Sequence, residues 1–311
     1  MRVPTKKGDV MNILHEIAQR TKERIEERKK TLPLEKIIDS VGAAFSPPAF
    51  PFEKRAVGDD RPYMDDFPFE KSLKSDDIAF ICEIKKASPS KGIIAEEFPY
   101  LDIAKDYEAA GAAAISVLTE PFYFQGSDSY LREIADTVTI PLLRKDFTVD
   151  SYMIYEAKLL GASAVLLICS ILDKDTLAEY IDIAHDIGLS ALVETHSEEE
   201  VHTALSAGAR IIGVNNRNLK TFEVDITLSE RLRSLVPPDV LFVSESGVSR
   251  PEDISKLREI GADAALVGET LMRAPDKKAA LDNYGAYRGG WQSAREETGR
   301  LPSSPTGVKY E

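Results

Sequence analysis

Apolar positions along the chain fall into a short repeated pattern. It reads AGAAAISVL at 110–118, LGASAVLLI at 160–168, AGARIIGV at 207–214 and IGADAALVG at 260–268, with a weaker copy, IGLSALVE, at 187–194. Each is the end of a helix, a glycine, and then a run apolar at every position. Glycine accepts the left-handed position that follows a helix. A run apolar on both faces suits a parallel strand buried between two layers, whereas a half-wet strand alternates. Between the copies, segments such as LDIAKDYEAA, DTLAEYIDIAHDI and EDISKLREI space their apolar residues three and four apart, as amphipathic helices do.

The glycines at 111, 161, 188, 208 and 261 stand 50, 27, 20 and 53 residues apart. With each long gap read as two units, a βα unit recurs about every 25 residues. This predicts strands at 79–84, 113–118, 140–144, 163–168, 190–194, 210–214, 240–244 and 263–267. Eight βα units in tandem predict an α/β fold of the (β/α)8 TIM-barrel kind with extra N-terminal helices. An open doubly wound sheet is the rival, but no GxGxxG follows the first strand. The predicted organisation is an N-terminal extension over 1–70, a catalytic barrel over 71–284 and a C-terminal tail over 285–311 that is poor in apolar residues. The extension holds an amphipathic helix over 11–29, a second helix after Pro33, and a Pro- and Phe-rich connection over 44–70.

Composition narrows the function. A formal charge of -13 disfavours nucleic acid and anionic membranes as partners. Neither an apolar leader nor a run of about 18 apolar residues is found, so the expectation is a cytoplasmic protein. Cys82 and Cys169 sit in apolar runs and read as core residues. His15, His185, His196 and His202 lack metal spacing and read as surface or packing residues, so no metal is expected.

In such barrels the chemistry lies at the C-terminal ends of the strands. Strand one ends there in Glu83 and Lys85, strand three in Lys145, strand five in Glu194, strand six in Asn215 and Arg217, and strand seven in Glu245 and Ser246. Charge beside a buried strand is costly unless paired. A single Glu83–Lys85 pair would read as structural, but two lysines and two glutamates at one mouth make a site that binds an anion and moves protons. Gly247 and Gly268, after strands seven and eight, sit where such barrels receive a phosphate on backbone N–H groups, and Ser246 adds a hydroxyl.

The run EIKKASPSKG at 83–92, followed by LTEPFYFQGS, PLLRKDF, VET, GVNNRNL, SESGV and VGETLM in that order, resembles the signature of the indole-3-glycerol phosphate synthases. The resemblance covers nearly all of 11–284 and implies a reaction without cofactor. The substrate, 1-(o-carboxyphenylamino)-1-deoxyribulose 5-phosphate, would close its ring and lose carbon dioxide and water. It further implies Lys145 as general acid and Glu194 as general base. Lys85, paired with Glu83, would hold the anionic substrate or share the acid role. Asn215 and Arg217 would orient the anthranilate, and Ser88, Glu245 and Ser246 would line the site. Phe124, Phe147 and Leu166 would flank the ring, with Gly247, Gly268 and the backbone of Glu269 at the phosphate. Two positions differ from relatives: Glu269, where many carry a small serine, and Phe222, where some have leucine. The Glu269 carboxylate is therefore expected to point away from the phosphate. A monomer is expected, and contacts with other enzymes of tryptophan biosynthesis stay open.

Two other readings compete. A Schiff-base aldolase would use Lys145 or Lys85 as nucleophile, but wants a lysine of lowered pKa, which neighbouring carboxylates oppose. A non-catalytic anion-binding barrel would not need Lys145 and Glu194.

Overall fold

The computed structural model describes residues 12–45, 67–218 and 221–285. Helices α1 (Asn12–Thr31), α2 (Leu34–Phe45) and α3 (Pro68–Leu73) precede the first strand. Eight parallel strands follow: β1 (Ala79–Ile84), β2 (Ala114–Leu118), β3 (Leu142–Lys145), β4 (Ala164–Ile168), β5 (Ser190–Thr195), β6 (Ile211–Asn215), β7 (Leu241–Glu245) and β8 (Ala264–Val267). They close into a barrel, β8 pairing back on β1. Helices α4 (Tyr100–Ala109), α5 (Asp128–Ala135), α6 (Tyr152–Leu159), α7 (Lys174–Asp186), α8 (Glu198–Ser206), α9 (Thr227–Arg233) and α10 (Pro251–Glu259) cover the outside. Two short helices, α11 (Glu269–Arg273) and α12 (Lys277–Gly285), finish the described chain.

The strands lie where the apolar runs put them, within two residues. The largest shift is at β3, which starts at Leu142 and not at 140, because Pro141 has no N–H to give to the ladder; its carbonyl still accepts from Ile115. The five repeat glycines, 111, 161, 188, 208 and 261, all have positive φ, between 71° and 89°. A small antiparallel hairpin, Ala87–Ser88 with Gly92–Ile93, follows β1 and was not expected.

The extra helices close the two ends of the barrel. At the N-terminal end α3 buries Phe69 and Leu73, and Glu70 binds Arg210, the residue before β6, at 2.7 Å. At the opposite end α1 lays Ile13, Leu14 and Ile17 along the mouth. Its cationic face is anchored to the wall. Arg24 reaches Asp146 at 2.8 Å, Lys29 reaches Asp150 at 2.6 Å, and Arg28 pairs with Asp128 and Glu156. Asp128 and Glu156 in turn hold the guanidinium of Arg144, which is 1% exposed, at 2.7 Å each. Alternation along β3 sends Arg144 outward into this network and Lys145 inward. Residues 1–11 and the tail beyond 285, with Trp291, lie outside the described residues, as does most of the Pro- and Phe-rich connection.

Candidate active site

A cavity of about 710 Å³ opens at the C-terminal ends of the strands, and every site residue named from the sequence lines it. Its floor is ionic. Lys145 donates to Glu194 and to Glu245, at 2.9 Å each. Asn215 Nδ2 donates to Glu194 Oε1 at 3.1 Å. Lys85 binds Glu83. Glu83, Glu194 and Glu245 are all nearly excluded from solvent.

Burial lowers the tendency of Lys145 to hold its proton, but the charges of Glu194, Glu245 and Glu83 outweigh that and raise its pKa above the ordinary lysine range. A lysine so held is an ammonium, suited to give a proton and unsuited to attack a carbonyl as an amine. This counts against the Schiff-base reading. The two carboxylates sharing Lys145 are shifted in opposite senses. Burial pushes both up; Lys145, His196 and Asn215 bring Glu194 well below the carboxylate range. Glu245 has Lys145 but also the repulsion of Glu194, and its Oε1 has no hydrogen-bond partner, so it is pushed up to about 7. Room for Glu245 comes from β6, because a Cβ on Gly213 would overlap Glu245 Oε1 and stand 3.1 Å from Leu192.

The walls divide by chemistry. Phe124 and Phe147 face each other with ring centroids 6.3 Å apart, and Leu166 lies in the same lining. The loop carrying Phe124 is shaped by Glu120, whose buried carboxylate accepts the backbone N–H groups of Phe122, Tyr123 and Phe124 at 2.6–3.0 Å. Beyond β6, Asn215 Oδ1 accepts the Arg217 N–H at 3.1 Å, and the Arg217 guanidinium donates to the Phe222 carbonyl at 3.1 Å. Phe222 sits at φ 59°, an uncommon conformation for a bulky residue. After β7, Ser246 and Gly247 are both left-handed, at φ 64° and 100°. After β8, Gly268 precedes α11, and Lys91, Ser249 and Thr270 complete that end of the cavity.

Glu269 has two cationic neighbours that the sequence did not reveal. Its carboxylate is held by Arg273 at 3.1 Å and lies 4.0 Å from Lys91, so two cations offset its charge. Two features escaped the sequence reading. The apolar face of α1 was legible, but its place over the mouth was not. His196, read as a surface or packing residue, lies 3.4 Å from Glu194 and 3.3 Å from Glu200. The available signal was its position, two residues past Glu194 and just ahead of Ser197-x-x-Glu200, a helix-start pattern. Cys82 and Cys169 are buried and free, as expected.

A closed parallel barrel with an ion-lined cavity at its C-terminal mouth defines a (β/α)8-barrel enzyme. Solved structures show the same fold at low sequence identity. A 3-hexulose-6-phosphate synthase matches with TM-score 0.54 and 16% identity over 67% of this chain and 99% of that chain. A tryptophan synthase alpha-subunit mutant from Pyrococcus furiosus matches with TM-score 0.52 and 15% identity over 67% and 98%. The family model for indole-3-glycerol phosphate synthase matches residues 14–284. The indole-3-glycerol phosphate synthase of Ruminiclostridium cellulolyticum is 67% identical over 69% of this chain and 83% of its own length. That of Lachnoclostridium phytofermentans is 51% identical over 87% and 98%. The chain belongs to the indole-3-glycerol phosphate synthase family, carboxy-lyases of tryptophan biosynthesis. Among the described residues no helix is long and apolar enough to cross a membrane.

Proposed function

We propose that the ring closure, decarboxylation and dehydration of 1-(o-carboxyphenylamino)-1-deoxyribulose 5-phosphate run on Lys145 as general acid and Glu194 as general base. The observation that carries this is Lys145 bridging Glu194 and Glu245 on the cavity floor. Lys145 protonates the ketone oxygen as the ring carbon bonds to the ketone carbon. Loss of carbon dioxide returns the bond pair to the ring. The new hydroxyl then leaves as water, taking a second proton from Lys145 once it is recharged, while Lys85, held by Glu83, binds the anionic substrate. Glu194 takes the proton from the carbon beside the nitrogen. Asn215 holds Glu194 in place for that step. Phe124, Phe147 and Leu166 pack against the aromatic ring, Arg217 and Ser88 orient the substrate, and Ser246, Gly247, Gly268 and the Glu269 N–H receive the phosphate. A cavity that folds a flexible chain so that two carbons meet contributes through proximity.

We further place the protein in the cytoplasm, where free thiols such as Cys82 and Cys169 persist, as a monomer. Fluorescence-monitored conversion tests the roles. Wild type should form the indole product, and Lys145→Ala and Glu194→Gln should each lose at least about 100-fold in kcat. A variant retaining full turnover would remove its residue from the scheme.

A further inference from the structure

The reaction consumes a proton that the cavity itself does not supply. The substrate carboxylate leaves as neutral carbon dioxide. Two protons enter the substrate, one on the ketone oxygen and one on the departing hydroxyl, and only one comes back, from the carbon that becomes part of the double bond. Each turnover therefore takes one proton from solvent. Ile13, Leu14 and Ile17 of α1 line the mouth of the cavity, one way in for that proton.

A second route lies behind Glu194, away from the cavity. Glu194 Oε1, on β5, faces His196 Nε2 at 3.4 Å, and that nitrogen is buried without a hydrogen-bond partner. On the other side of the ring, Nδ1 lies 3.3 Å from Glu200 Oε2, in the first turn of α8. The same oxygen accepts the His196 backbone N–H at 2.7 Å, which fixes Glu200 over the ring edge. Side-chain exposure rises outward, from 5% at Glu194 to 15% at His196 and 23% at Glu200. Neither His196 nor Glu200 lines the cavity.

We propose that His196 and Glu200 form a proton inlet that recharges the Lys145–Glu194 pair from solvent, a reading that rests on the acid and base roles proposed above. The imidazole takes a proton at Nδ1 from the Glu200 side and releases the one on Nε2 to Glu194 Oε1. Glu194 Oε2 passes a proton to Lys145 Nζ, 2.9 Å away. The charged groups around the ring are Glu194 on β5, which ends just before His196, Glu200 on α8 and Glu245 on β7, with Lys145 beyond Glu194. The Cys169 thiol, between β4 and α7, lies against the Glu200 backbone. Burial disfavours an imidazolium at His196, but the three carboxylates outweigh it and raise the histidine's pKa above the ordinary imidazole value.

The test is steady-state turnover of the full chain, wild type against His196→Gln and Glu200→Gln, with and without added imidazole, in H2O and D2O. For His196→Gln the expectation is a 10- to 100-fold fall in kcat with KM within about twofold, a larger solvent isotope effect, and partial recovery in imidazole. Glu200→Gln, on a partly exposed helix turn, should show a smaller fall of the same kind and keeps the test open if the buried variant folds poorly. A kcat within twofold of wild type in both, or a fall that imidazole does not reverse and that leaves the isotope effect unchanged, overturns the inlet while the synthase reading stands. A folded wild type that does not turn over the substrate overturns both.

Discussion

Gly268 leaves the space that Glu83 occupies: a Cβ at position 268 would overlap Glu83 Oε2 and stand 3.1 Å from Lys85 Nζ. The glycine after β8 thus serves the ion pair of β1 as well as the phosphate proposed to lie beside it. Gly268→Ala should leave the fold intact and displace Glu83 and Lys85, lowering kcat/KM by about 10- to 100-fold, the effect of misplacing groups by about an ångström. Steady-state kinetics beside an unfolding curve separates the two effects. A variant with wild-type kinetics would show that the pair is free to shift.

Glu245 links the site to stability. Its folded-state pKa, about 7, lies above the ordinary carboxylate value of 4.5. The folded state therefore binds this proton more tightly than the unfolded chain does. The stability it contributes is full below pH 4.5 and is lost as pH rises to about 7. Glu245→Gln should flatten the dependence across that window and leave the variant relatively more stable at pH 8, by on the order of 3 kcal/mol. Urea midpoints at pH 5, 6, 7 and 8 measure it. Parallel curves for variant and wild type would place the shifted proton elsewhere.

Arg144 is the buried centre of the wall network, bound to Asp128, Glu156 and the Met153 carbonyl. Arg144→Ala leaves two part-buried carboxylates sharing Arg28 and should cost about 3–5 kcal/mol. Denaturant unfolding checks this, and a loss below about 1 kcal/mol would mean that Arg28 alone satisfies them.

Glu269 keeps a negative charge at the proposed phosphate end, offset by Arg273 and Lys91. Glu269→Gln should free those cations for the phosphate and lower KM about threefold with kcat unchanged. An unchanged or higher KM would show that the carboxylate already orients the two cations usefully.

The barrel was legible because each βα unit writes itself locally, as a helix end, a glycine and a doubly apolar run. The ionic floor was legible because charge directly after a buried strand is unusual, and the barrel's geometry says where such ends converge. The partition of partners was not. Nothing in the spacing says that Lys145 turns to Glu194 and Glu245 while Arg144, one residue earlier, turns to Asp128 and Glu156. Nor does it say that His196 packs behind Glu194. These depend on which side chains of distant strands and loops meet, a long-range fact that local pattern does not carry. The β3 shift is the converse case, since Pro141 could have been used to place the strand start.

The anchors of α1 bear on how the chain is made. Arg24 meets Asp146 across 122 residues of sequence, and Arg28 meets Glu156 across 128. The helix that roofs the cavity is synthesised before the residues that anchor it, which do not exist until β3, α5 and α6 have been made. At 5–20 residues per second that is a wait of roughly 6–25 s. Over that interval the cations of α1 lack Asp128, Asp146 and Glu156, and the helix is fixed to the wall only once β3, α5 and α6 stand. The roof is thus translated well before the wall that anchors it.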